Sequence, residues 1–231
     1  MKKTSVFMAA ALLGLLVMVT VSCGKGGGIS SLDVVGKESV NSFDRLLKAT
    51  PQLVTEDEMN GGWSIAAPDG EAWFVWSWDY STSPLHDVML VFDAKPFIDA
   101  GLEIEKLPED IAYYDDMIMV GTMLGNDKFS GKDSALSSYE EIVKRYRASI
   151  GYHGALDHYG VNVGGGNLFE WAKDMSTNDK DMVFVLNPEP FIAAGVDPNA
   201  ISGWAFAPVT VDDENGKPVQ VDKILKPFNV L

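Results

Sequence analysis

Apolar residues at Val40, Phe43, Leu46 and Leu47 are spaced three, three and one apart, which places them on one face of an α-helix. The same spacing returns at Leu136, Tyr139, Ile142 and Val143. A serine precedes each run, Ser39 or Ser134, and its hydroxyl can accept a free backbone N–H at the helix start. Beyond each helix the period changes to two. Phe74 and Trp76 fall on one face of a strand, as do Phe169 and Trp171. Strands are expected over 63–67 and 71–79, joined by Pro68-Asp69-Gly70, and over 159–163 and 167–173, joined by Gly164-Gly165-Gly166. Continuous apolar runs at 88–92 and 182–186 read as buried strands. A short helix follows each, with Asp93 or Asn187 as its cap, Pro96, Pro188 and Pro190 in the first turns, and Gly101 or Gly195 at the end. Closing strands are expected at 116–124 and 204–211. In the second copy a hairpin through Asn215-Gly216, a strand near 219–221 and one more over 224–230 are added.

The pattern is a repeat in the residues themselves. DVMLVFDAKPFIDAGL, from Asp87, returns as DMVFVLNPEPFIAAGV from Asp181, and Gly36-Lys37-Glu38-Ser39 returns as Gly131-Lys132-Asp133-Ser134. Self-similarity at a fixed period marks one folding unit used twice. The expected fold is therefore α+β, in two tandem modules over 36–130 and 131–231. Each module is an amphipathic helix plus a mainly antiparallel sheet with a short second helix.

The first residues carry a different signal. Lys2 and Lys3 precede an apolar run over 6–21, and Thr20-Val21-Ser22 leads into Cys23, the only cysteine of the chain. That run is shorter than the roughly 20 residues that span a bilayer. Residues 1–22 read as a secretory signal, and with Cys23 the segment resembles the signal peptide of bacterial lipoproteins. The resemblance implies cleavage before Cys23, acylation of that cysteine, and a lipid anchor in a bacterial membrane. Residues 23–35, with their GKGGGISS stretch, would be a flexible tether.

Charge narrows the partners. The net charge is −15, and −17 once Lys2 and Lys3 are removed. Nucleic acid, which is held by clustered Lys and Arg, is excluded as a partner, and an anionic membrane surface would repel the chain, leaving attachment to the acyl group.

Duplication also sorts the candidate residues, because positions kept in both copies serve the scaffold and positions in one copy are free for a site. Phe74/Phe169 and Trp76/Trp171 belong to the core on that rule, and Asp79-x-Ser81-Thr82 with Asp174-x-Ser176-Thr177 to turns. Trp63, Trp73 and Trp78 have no tryptophan counterpart, and together with Trp204 they are candidate anchors for a peptide, a glycan or an envelope protein. His153, Asp157 and His158 occur in the second copy only and could ligate a metal or work as a base with its orienting carboxylate. Gly164-Gly165-Gly166 lacks the strand-to-helix context of a phosphate loop, no G-x-S-x-G elbow is present, and residues 212–216 lack a calcium loop's ligand alternation. The sequence points to a non-enzymatic, cofactor-free envelope lipoprotein that binds at the junction of its modules. The competing expectation is an envelope hydrolase or metal protein built on the two histidines.

Overall fold

Each half of the chain begins with the helix its apolar spacing predicts. Helix α1 (Ser31–Ala49) buries Phe43, Leu46 and Leu47, and α3 (Ala135–Arg145) buries Tyr139, Ile142 and Val143. Ser134 caps α3 by accepting the Ser137 N–H at 3.1 Å. Ser39 caps nothing. Helix α1 starts upstream of it, and its hydroxyl donates to the Gly36 carbonyl one turn back, at 3.0 Å. The structure is a computed structural model and describes residues 31–57, 61–78, 87–122, 134–154, 156–174, 181–212 and 217–229. Cys23, Asp79, Ser81, Thr82, Ser176, Thr177 and the Asn215-Gly216 turn lie outside them.

Twelve described strands form two six-stranded sheets, and all pairings are antiparallel. The first holds β1 (Val54–Asp57), β2 (Gly62–Ala66), β3 (Ala72–Ser77), β4 (Val88–Asp93), β5 (Ile111–Tyr114) and β6 (Met117–Thr122), in the order β1-β2-β3-β4-β6-β5. The second holds β7 (Ile150–His153), β8 (His158–Gly164), β9 (Asn167–Ala172), β10 (Met182–Leu186), β11 (Ala205–Asp212) and β12 (Pro218–Phe228), in the order β7-β8-β9-β10-β12-β11. The two orders are the same. Short helices α2 (Lys95–Asp99) and α4 (Glu189–Ala193) sit after the fourth strand of each sheet.

Three expectations change here. The strands β1 and β7 were not foreseen. The strand at 117–122 matches β12 rather than the one at 205–212, so a closing hairpin exists in both halves and is no addition to the second. Its turn in the first half is Asp115-Asp116, with φ of 51° and 62°, the left-handed pair that a two-residue hairpin needs. Finally, 218–228 is one continuous strand rather than two.

The short helices end as their glycines require. Leu102 N–H bonds to Phe97 O and Gly101 N–H to Ile98 O, and the same pair recurs from Val196 to Phe191 and from Gly195 to Ile192. At the other end, Asp93 accepts the Lys95 N–H and Asn187 the Glu189 N–H.

Both halves share one hydrophobic core. Residues that correspond in sequence meet each other across it. Phe74 stacks on Phe169 with ring centroids 4.4 Å apart and planes at 9°, Phe43 on Tyr139 at 4.0 Å, and Phe97 lies 5.2 Å from Phe191. The polar contacts are reciprocal as well. Ser42 donates to the Ala172 carbonyl at 3.1 Å and its counterpart Ser138 donates to the Ser77 carbonyl at 2.9 Å. Glu103 N–H bonds Ala194 O at 2.8 Å, and Asp197 N–H bonds Ala100 O at 2.9 Å. Gly101 and Gly195 press backbone on backbone, so that a Cβ on either would stand 2.8 Å from the other's carbonyl oxygen. Contacts of this i-to-j, j-to-i kind are those of a two-fold interface between identical chains. Each long helix also lies on the other half's sheet, with Trp76 Nε1 of β3 donating to the Ala135 carbonyl of α3 at 3.3 Å.

Candidate functional site

The junction opens into a groove of about 480 Å³ on one side of the molecule, a size suited to a small ligand or a short chain segment. One wall is the Gly164-Gly165-Gly166 turn between β8 and β9, where all three φ values are positive, at 101°, 61° and 81°. Side-chain amides lock that turn. Asn162 accepts the Gly164 N–H at 2.8 Å, Asn167 donates to Gly164 O at 2.8 Å, and Asn187 donates to Gly165 O at 3.1 Å. Lys223 donates to Gly166 O at 3.2 Å. Burial holds the Lys223 ammonium below its ordinary range, while Glu189 and Glu170 push the other way.

The facing wall comes from the first half, as Lys106, Pro108 and Asp110 between α2 and β5, with Ile111, Val120 and Gly121 as its floor. Glu189 and Pro190 of α4 complete the rim. Lys106 is held by Glu103 at 2.5 Å. Asp110 and Glu189 carry exposed carboxylates without a salt bridge among the described residues. The groove is therefore acidic at its mouth and apolar at its base.

The four candidate tryptophans do not gather on it. Trp63 lies beside Trp76 on the core face of the first sheet, half-buried, and its Nε1 has no hydrogen-bond partner. Trp73 points to the opposite face of β3, and Trp78 follows that strand, both half-buried. Trp204 packs 5.4 Å from both Phe92 and Phe97 of the first half, across the junction.

Sequence reasoning joined His153 and His158 to Asp157, whereas the structure joins them to Glu170. The two histidines are direct partners across β7 and β8. His153 Nδ1 stands 2.6 Å from Glu170 Oε1, and His158 Nδ1 stands 3.8 Å from Oε2. Asp157 instead takes the Tyr152 hydroxyl proton in a hydrogen bond, which together with burial pushes that phenol up to about 12. Gly160, across from Glu170, leaves room for its side chain, since a Cβ there would lie 3.1 Å from Glu170 Cγ. Burial alone would raise the Glu170 pKa, but the hydrogen bonds from His153 and His158 outweigh it and hold the carboxyl down to about 2. Among the described residues no group of three or more His, Cys, Asp or Glu side chains is set to hold a metal ion. Glu170 was legible as a charge between Phe169 and Trp171, at the position where the other copy carries Val75.

The chain matches no protein-family model, no curated protein and no solved structure. Among the described residues no helix is long and apolar enough to cross a membrane.

The buried carboxylate has a measurable consequence. Its folded pKa of about 2 lies below the ordinary 4.5, so its stabilisation is complete above pH 4.5 and is lost as the pH falls toward 2. The loss amounts to roughly 3 kcal/mol. Urea unfolding at a series of pH values checks this, because Glu170→Gln should flatten the acid limb between those limits. An acid limb as steep in the variant as in the parent protein would refute it.

Proposed function

We propose that the chain is a non-catalytic binding protein of the bacterial envelope, held at a membrane through an acylated Cys23. On this reading its two halves descend from one duplicated α+β module, and its ligand site is the groove between them. The observation that carries it is the groove itself, which takes its walls from both halves and carries the exposed residues Asp110 and Glu189 on its lining. The matching sheet orders and the reciprocal junction contacts support the duplication. The lipoprotein-like first 23 residues support the location.

A thermal-shift survey tests the site. Envelope-type ligands, among them peptides and glycans, are screened for those that raise Tm, since a ligand bound only to the folded state stabilises it by mass action. Ala193→Trp places an indole at the rim from an exposed position on α4 and is expected to remove the shift while leaving the ligand-free Tm unchanged. Ligands that stabilise the variant as well as the parent protein would place the site elsewhere.

A further inference from the structure

Equivalent positions of the two halves carry different residues in two places. At the junction, Trp204 and Lys226 stand where the groove has Ile111 and Val120. The Lys226 ammonium is satisfied there by Asp69 at 2.9 Å and Glu71 at 2.5 Å, both of the first half.

The larger difference lies on the outer faces of the sheets. Phe74, Leu90, Phe92, Ile118 and Val120 point into the shared core, so the residues that alternate with them point away from it. On the first sheet these outward residues include Trp73, Val75, Val91, Met117 and Met119, with Tyr114 directly opposite Met117, and none of the six packs against the core. An antiparallel sheet with one solvated face carries polar residues there. The second sheet does so, with Glu170 and Lys223 in the places of Val75 and Met117. The first sheet is apolar at both. Tyr114 is 74% exposed, and Trp73, Val91, Met117 and Met119 are half-buried. Trp73 and Met119 flank Val91 as its direct partners on either side. Two thioethers give this patch a surface that adapts to what it meets, and contiguous exposed apolar area marks contact sites.

Carboxylates border one end of the patch. Asp93 closes β4 beside Met117, and Asp115 and Asp116 form the turn after Tyr114. Lys95, which follows on α2, is already paired with Asp99 at 2.6 Å. Going beyond the groove reading, we propose that the outer face of the first sheet docks an amphipathic helix of a partner protein. Its apolar stripe lies on the sheet, and its Lys or Arg residues stand against Asp93, Asp115 and Asp116. The span from Trp73 across Val91 to Met119 is two interstrand spacings, roughly 10 Å, which matches the diameter of one helix. Charge selects the partner. A second copy of this chain would bring a net charge of −15 against another −15, whereas a basic helix is drawn in.

The test titrates the full chain calorimetrically with a capped helical peptide of about four turns, leucine on one face and lysine on the other. A scrambled peptide of the same composition and a leucine–glutamate analogue are the controls. At low salt the leucine–lysine peptide is expected to bind at least about tenfold tighter than either control. A Trp73→Ser, Met117→Lys double variant should remove that preference, and Lys223 shows the fold accepting lysine at the second of these places. If urea unfolding finds the double variant unstable, Tyr114→Ser, at its exposed site, is expected to weaken binding at least about threefold instead. Ala193→Trp should leave the affinity unchanged, and loss of binding there would move the helix to the groove and overturn the proposal. Equal affinity for the scrambled peptide would mean attraction by charge alone, and a preference surviving the face variants would mean another site; either overturns it. Dimerisation in sedimentation that the face variants abolish would assign the face to a second copy, and binding to neutral lipid vesicles lost in the same variants would assign it to a bilayer. Both overturn the partner named here. Failure of the leucine–lysine peptide to bind overturns it too, while the groove reading stands or falls on its own Tm shifts.

Discussion

Phe169→Ala is expected to destabilise the whole molecule by about 4 kcal/mol and to shift a single unfolding transition. The ring is fully buried, stacked at 4.4 Å on Phe74 and lying 5.6 Å from Trp171 and 5.3 Å from Phe184. Removing it loses the transfer free energy of the ring and leaves a cavity that rigid neighbours cannot collapse into. Because the stacked pair bridges the halves, the loss is felt in both. Urea unfolding followed by tryptophan fluorescence should show one transition in the parent chain and one, displaced, in the variant. Phe74→Ala should behave alike, and the double variant should cost about 1 kcal/mol less than the sum, since both singles remove the same stacking contact. Two separate transitions, with only the later half's midpoint lowered, would contradict a shared core.

Gly195→Ala is expected to cost a comparable amount, about 3–4 kcal/mol, for a different reason. Its φ of 99° is unfavourable for any residue with a Cβ, and that alone accounts for about 1–2 kcal/mol. The remainder comes from the new methyl, which would sit 2.8 Å from the Gly101 carbonyl oxygen and must drive the ends of α2 and α4 apart. Opening that contact also weakens the paired hydrogen bonds from Glu103 to Ala194 and from Asp197 to Ala100. Gly70→Ala is the control. Its φ is 71°, yet a Cβ there meets nothing within 4 Å, so only the conformational cost remains. Thermal or urea unfolding separates the two, and equal losses in the two variants would mean the backbone-to-backbone approach at the junction is not made.

The parts of the fold that the residues announced are those with strong local pattern. The buried strand at 182–186 was placed to the residue, and the turns at 68–70 and 164–166 and the glycine helix ends were legible from their chemistry. The edge strands β1 and β7 were not, because VTED and IGYH are too short to show a period and owe their extension to a neighbouring strand. The first closing hairpin was missed because its second strand was expected to begin at Asp116, inside the turn, although aspartate is among the residues that tolerate positive φ. At the site, the comparison of copies pointed to the junction but chose tryptophans as its anchors. The residues that distinguish the two sides are instead Ile111, Val120, Trp204 and Lys226, far apart in the chain, and only the register of the closing hairpins brings them into correspondence. Glu170 had a simpler signal: it is the one charge in its strand, between Phe169 and Trp171, and folding tolerates a buried charge only beside a partner.

Two free chains meeting through such a self-matching junction would part on dilution below their dissociation constant. Joined end to end, each half meets the other at a local concentration of order millimolar, so the pairing holds however dilute the protein. Positions on the axis of a true dimer also mutate in duplicate, whereas on one polypeptide the two sides drift separately. On the duplication proposed above, Val120 and Lys226 have parted under that freedom, while Gly101 and Gly195, pressed against each other, are the same residue.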